Sequence, residues 1–145
     1  MNQKHYLRRR DRPLALLHSQ SPAKYHNLME NLMEKITDLN NLVLQGKIMD
    51  AFEKYYHDEV TTQENDQAPT VGKANNRRKE LDFLSKVTQF RGAAPLKVTA
   101  GANATMVEWH YDYTHAEWGE RNYRQVSVQA WRDGLIIQEK FYYAS

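Results

Sequence analysis

From Ser21 onward the apolar positions first recur with a helical period. Tyr25, Leu28, Met29, Leu32, Met33, Ile36, Leu39, Leu42 and Val43 are spaced by threes and fours, with Glu30, Glu34 and Asp38 off the stripe, which predicts one long amphipathic helix. Ser21-Pro22 supplies an N-cap and a first helical residue, and Gly46 a closing C′ position. Ile48, Met49, Phe52, Tyr55 and Tyr56 predict a second, shorter helix over about Lys47 to Tyr56, running into a short Val/Thr strand from Glu59 to Glu64. Asn65 to Pro69 has loop composition. A third helix from Lys73 to Val87 rests on Ala74, Leu81, Leu84 and Val87, its first turn weakened by Asn75-Asn76. Phe90 to Ala94 reads as another short strand, and Pro95 separates it from Leu96 to Ala102.

Beyond Ala104 the period shortens to two. TMVEWHYDYTH, NYRQVSVQAWR and LIIQEKFYY are rich in β-branched and aromatic residues and are separated by polar, glycine-containing breaks, the signature of consecutive antiparallel strands. Asp133-Gly134 suits a two-residue type I′ turn, which needs positive φ at both positions. That turn places Arg132 opposite Leu135, and counting outward pairs Ala130 with Ile137, Val128 with Glu139, Val126 with Phe141 and Arg124 with Tyr143. Burial of the more apolar side predicts Val126, Val128, Ala130, Ile137 and Phe141 inside, joined on the preceding strand by Val107, Trp109, Tyr111 and Tyr113. The opposite face then carries Tyr123, Gln125, Ser127, Gln129, Trp131, Ile136, Gln138, Lys140 and Tyr142. Its mixture of aromatic and uncharged polar groups suits a homodimer interface.

Three helices followed by an antiparallel run indicate an α+β domain with helices on one face of the sheet. The 145 residues suit one core, here a single domain over 21–145 preceded by a basic arm over 1–20. Formal net charge is +2; residues 1–24 hold six basic groups against Asp11, or +5, leaving −3 for the remainder. The RRRDR run alone supports nucleic-acid binding, since the body has no basic stripe interleaved with aromatics, and a solvated arm is the simpler reading. The absence of cysteine excludes disulfides and thiolate chemistry and fits a cytoplasmic setting. No apolar run reaches membrane-helix length.

Gly46 with the helix ending AFEKYYHDEV, Val71-Gly72-Lys73 opening the next helix, and the closing WRDGLIIQEKFYY together resemble a cone-shaped α+β family. It includes nuclear transport factor two, ketosteroid isomerase, scytalone dehydratase and the SnoaL-like polyketide cyclases, and the likeness spans about residues 25–143. The resemblance implies a cone-shaped roll with three helices in the concave face of a strongly curved, mainly antiparallel sheet, a deep apolar pocket for a small molecule, and dimers through the outer sheet face. It implies no cofactor. The ketosteroid isomerase pattern puts its catalytic base at Glu64, after Asp58-Glu59, but puts Leu39 and Ser127 where that enzyme has its oxyanion donors. Steroid isomerisation is therefore not expected.

Glu139 is the residue that breaks the inner-face pattern. A carboxylate there must be ion-paired, hydrogen-bonded or raised in pKa, so it is either an acid/base group or the partner of Arg124 in a structural ion pair. Glu64 is the second candidate catalytic acid. Tyr56, Trp109, Tyr111, Tyr113, Arg124 and Tyr143 are the candidate substrate-binding residues, offering apolar walls with hydroxyl donors. His110, Asp112 and His115 do not form a metal triplet, because strand alternation turns His115 away from the other two. The sequence thus leaves two functions open: an acid/base isomerase, cyclase or hydrolase-like enzyme on a small, partly apolar substrate, and a noncatalytic ligand-binding or dimeric scaffold module.

Overall fold

The computed structural model describes residues 21–144, so the basic arm lies outside the described residues. In chain order the elements are α1 (Pro22–Leu44), α2 (Ile48–Tyr55), β1 (Tyr56–Glu64), β2 (Thr70–Val71), α3 (Lys73–Ser85), β3 (Val87–Ala100), β4 (Ala104–His115), β5 (Gly119–Arg132) and β6 (Leu135–Tyr142). The strands form one sheet in the order β2-β1-β6-β5-β4-β3, antiparallel except where β1 runs parallel to β6. This is a cone-shaped α+β roll, with the helices on the inner face of the sheet.

α1 begins and ends as its sequence dictates. The Ser21 hydroxyl accepts the Lys24 N–H at 3.2 Å. At the other end Lys47 N–H donates to the Leu42 carbonyl at 2.8 Å and Gly46 N–H to that of Val43 at 3.0 Å, with Gly46 at φ 75. These two bonds satisfy carbonyls the helix leaves free, and the left-handed position favours glycine. Leu32, Ile36 and Leu39 enter a core shared with Ala51, Tyr55, Val60, Val107, Trp109, Trp131 and Ile136. α3 is anchored differently. Leu81 is exposed and Val87 already belongs to β3, while the buried residue is Asn76. Its side-chain amide reaches the carbonyls of Val60, Thr70 and Gly72, and its oxygen accepts the Thr62 hydroxyl at 2.5 Å. The asparagine that weakens the helix as a propensity is what pins it to β1.

Two further expectations are corrected. Phe90 to Ala94 and Leu96 to Ala102 are not separate pieces: β3 is one strand with three register shifts, and Pro95 is tolerated because β3 is the sheet edge. The β5–β6 hairpin turns as expected, with Asp133 at φ 53, Gly134 at φ 78 and Arg132 opposite Leu135. Its register then slips. Trp131 pairs with Ile136 but Ala130 with Gln138, so Ile137 is an extra residue. Past this bulge Gln129 faces Glu139, Val128 faces Lys140, Ser127 faces Phe141 and Val126 faces Tyr142.

The buried face of β5 is consequently Gln125, Ser127, Gln129 and Trp131, not Val126, Val128 and Ala130. Counting apolar residues misjudged this face because hydrogen-bonded polar groups can be buried at little cost. The outer face carries Met106, Val126 and Tyr142, each more than a third exposed, along with Val128, Arg124 and Lys140; Tyr123, Gln125, Ser127, Gln129, Trp131 and Ile136 are withdrawn from it. The inner set expected on β4 is in place: Val107, Trp109 and Tyr113 are buried and Tyr111 half-buried. Among the described residues no helix is long and apolar enough to cross a membrane.

The turn is the simplest place to test this hairpin. Gly134 holds a left-handed conformation, and an added Cβ would meet only the end of the Lys35 side chain, its Nζ at 2.9 Å. Gly134→Ala is expected to destabilise the protein by about 1–2 kcal/mol through backbone strain, read as a lower urea midpoint with unchanged slope.

Candidate active site

A row of buried polar side chains crosses the sheet, one residue per strand. Thr62 on β1 lies beside Glu139 on β6, which faces Gln129 on β5, which faces Thr105 on β4. The Trp131 indole N–H donates to the Thr105 hydroxyl at 2.8 Å, the hydroxyl donates to Gln129 Oε1 at 2.7 Å, and Gln129 Nε2 donates to Glu139 Oε2 at 2.7 Å. An ionised Glu139 can only accept, so Gln129 turns its NH₂ to the carboxyl and its Oε1 to Thr105, whose hydroxyl donates there while accepting the indole N–H.

Glu139 therefore has one oxygen committed as an acceptor. The other, Oε1, receives the Tyr56 hydroxyl at 2.5 Å. Both oxygens thus meet donors, but the phenol can turn to accept whereas the amide NH₂ cannot, so a proton added to the carboxyl is accommodated on Oε1, toward Tyr56. Burial raises the pKa of Glu139, and the bonds from Tyr56 and Gln129 work against that rise. The Tyr56 phenol is raised well above its ordinary value, first by burial and then by the adjacent carboxyl. The expected ion pair with Arg124 does not form. The bulge leaves Arg124 exposed on the outer face, 3.4 Å from Glu108.

Facing this pair from α3 is Glu80, which sequence reasoning missed. Its carboxyl is pushed up to about 7, chiefly by burial and next by the charge of Glu139, with Lys79 opposing. The signal was the helical spacing Asn76, Glu80, Phe83, which puts all three on one face of α3; the Leu81–Leu84 stripe drew attention elsewhere. Tyr111 also feels Glu139 and Glu80, and its phenol is raised well above its ordinary value, mainly by burial.

The other expected residues continue this inner surface toward one end of the sheet. Trp109 stacks on Tyr111 at 5.3 Å, and Tyr111 lies 6.0 Å from Tyr123. Tyr123 has its hydroxyl 3.3 Å from that of Tyr113 and its ring 5.6 Å from that of Tyr143. Glu64 is half-buried, 3.1 Å from Lys79, and raises the pKa of Tyr143 after burial has done so. It neighbours Glu80 electrostatically but has a cation of its own. Leu39 is in the core and has no polar side-chain atom to donate, and the buried Ser127 hydroxyl accepts from the Gln125 amide. His110 bonds Asn122 on the outer face, whereas His115 is buried on the inner face and stacks on Trp118 at 3.8 Å. Two surface concavities, of about 200 Å³ beside Met29 and Met33 and about 480 Å³ beside Lys47 and Leu84, do not include Glu139.

The family model described as SnoaL-like domain matches residues 31–143. None of the curated proteins matches the sequence. Among solved structures, a protein described as a SnoaL-like polyketide cyclase from Mesorhizobium loti is 22% identical, with TM-score 0.71 over 77% of this chain and 98% of its own. An NTF-2 like protein of unknown function from Burkholderia xenovorans is 18% identical, with TM-score 0.66 over 80% and 84%. An LEH-like epoxide hydrolase from M. tuberculosis is 13% identical, with TM-score 0.65 over 80% and 84%. At these identities the structures share a fold with this chain.

Two measurements test the electrostatics of the site. Glu80 has a folded pKa above its unfolded one, so the stability it contributes is full below about 4.5 and is lost as pH rises through about 7. Glu80→Gln, which cannot ionise, should melt higher than the parent protein above pH 7, with the difference vanishing toward pH 4. Equal melting curves at all pH values would show that Glu80 is freely solvated. Gln129→Leu removes a donor to the charged form of Glu139, and carbon-13 carboxyl NMR should show the Glu139 pKa moving further up.

Proposed function

The chain belongs to the SnoaL-like domain family, and on that premise we propose that Glu139 and Tyr56 form the proton-handling centre of an enzyme acting on a small, partly apolar molecule, with Glu80 as the second acid. The observation that carries this reading is the buried Glu139 carboxyl, which has no cation beside it among the described residues. A carboxyl raised by burial is a stronger base when ionised than an ordinary carboxylate, and its protonated form persists to higher pH, so it can both take and return a proton. Gln129 holds Oε2, leaving Oε1 and the Tyr56 hydroxyl as the pair that meets substrate. In this cycle Oε1 accepts a proton from a C–H or O–H of the substrate, electron density moves onto an adjacent oxygen or double bond, and the same proton returns to a different atom. That balance suits isomerisation and cyclisation. For hydrolytic chemistry the proton would instead come from a water.

Glu80 gives the site two carboxyls whose charges oppose each other, which favours a state with one proton between them. Trp109, Tyr111, Tyr113 and Tyr143 supply the apolar wall with hydroxyl donors. We further propose a homodimer through the outer sheet face, on which Met106, Val126 and Tyr142 are exposed. A second reading, a noncatalytic ligand-binding module, is favoured by one observation: both oxygens of Glu139 already hold internal hydrogen bonds.

Native mass spectrometry of protein purified from cells should reveal a co-purifying small molecule, which then serves as substrate. On it, Glu139→Gln is expected to lower turnover by about 10² to 10⁴-fold and Tyr56→Phe by less, with binding retained. Turnover in the parent protein should rise with pH as Glu139 ionises. If Glu139→Gln binds the molecule equally well and the parent protein leaves it chemically unchanged, the noncatalytic reading is correct.

A further inference from the structure

Arg121 occupies an inward-facing position on β5, directly opposite Tyr113. It departs from the other arginines of the described region. Arg77, Arg91, Arg124 and Arg132 each hold a carboxylate, and Arg78 bonds Asn75. Arg121 makes no ion pair among the described residues, and its Nε is buried without an acceptor. Its guanidinium carbon lies 4.8 Å from the centre of the Tyr123 ring. Stacked over that ring, the guanidinium presents its N–H groups around its edge, close to the Tyr113, Tyr123 and Tyr143 cluster.

Arg121 is half-buried, and its Nε–H, shut off from water without an acceptor, is costly to leave unpaired; on the inner face it calls for a partner that arrives from outside. We propose that Arg121 is the anchor for a carboxylate on the ligand, held by the guanidinium edge and the tyrosine hydroxyls. Burial raises the Tyr123 phenol, so it is a neutral hydroxyl donor. The charge count favours a monoanion. Among the described residues Lys79 is engaged with Glu64 and Lys86 with Asp82 and Glu117, which leaves Arg121 as the cation without a carboxylate beside the tyrosine cluster. A flat carboxylate matches the guanidinium edge with two parallel bonds. The ligand class is a monocarboxylic acid whose apolar body lies along Tyr123 and Tyr111 toward Glu139. This assignment rests on the acid/base reading for where the reacting group sits, but not for the capture of the anion.

The probes are benzoate and its uncharged counterpart benzamide, followed by nitrogen-15 NMR of the Arg121 Nε–H. Benzoate is expected to shift that resonance and to bind at least about 10-fold more tightly than benzamide, in the millimolar range typical of fragments. Arg121→Gln should remove the preference by weakening benzoate alone. Glu139→Gln should preserve it, so a failure of the acid/base reading would leave the benzoate preference standing. Equal binding of the two probes, an unmoved Nε–H resonance, or benzoate binding undiminished in Arg121→Gln would overturn the proposal. Should Arg121→Gln fail to fold by circular dichroism, the Nε–H resonance of the parent protein and Arg121→Lys decide the matter. The lysine keeps the charge but loses the fork, and is expected to retain part of the preference.

Discussion

A carboxyl group inside an apolar shell, with hydrogen bonds in place of a counter-ion, is the constraint that the inner face is arranged around. Removing a charged carboxylate from water is expensive, and each donor brought to it recovers part of that expense. Here one donor comes from the junction of α2 and β1, where Tyr56 begins the strand, and the other from the middle of β5. Neither can move without leaving its own oxygen of Glu139 buried and unpaired. The parallel pairing of β1 with β6, the register of the terminal hairpin and the orientation of Gln129 are tied to that one group.

The two halves of the cone interior are held by different physics. Beneath α1 the contacts are between Leu32, Ile36, Val60, Val107, Trp131 and Ile136, non-directional and insensitive to pH or salt. Beneath α3 they are directional: the Asn76 amide, the Tyr56 hydroxyl and the phenols of the tyrosine cluster. The ion pairs along α3, Arg77 with Glu53 and Lys79 with Glu64, are solvent-exposed or nearly so and contribute little individually. Chemistry is therefore segregated from the part of the core that supplies most of the apolar burial. A ligand entering on the α3 side would disturb few aliphatic contacts.

How far the sequence could be read follows from how local each signal is. The type I′ turn was legible because Asp133-Gly134 acts on its own backbone, and the inner face of β4 because Val107, Trp109 and Tyr113 are too large to leave outside. β5 misled because its valines lie on the outer face while glutamine and serine are inside, an arrangement that makes sense only once Trp131, Thr105 and Glu139 are in place around Gln129. Glu139 was correctly placed inside from an incorrect register, since the unforeseen bulge shifted its partners. Choosing Arg124 as the inner arginine followed from the same slip; the inward one is Arg121. Glu80 escaped notice because nothing near it in sequence shows that a carboxyl on β6 lies across from it.

Ile137 is what lets Ile136 and Glu139 share a face, since residues three apart on a regular strand point in opposite directions. One surplus residue thus works as a parity switch for everything that follows it to the end of the chain. Among proteins of this fold, gaining or losing a single codon at that point would exchange an indoor acid for an outdoor one in one step, with the turn and the aliphatic half of the core untouched. A scaffold with such a joint can relocate its reactive group by changing length, without first having to invent a new side chain.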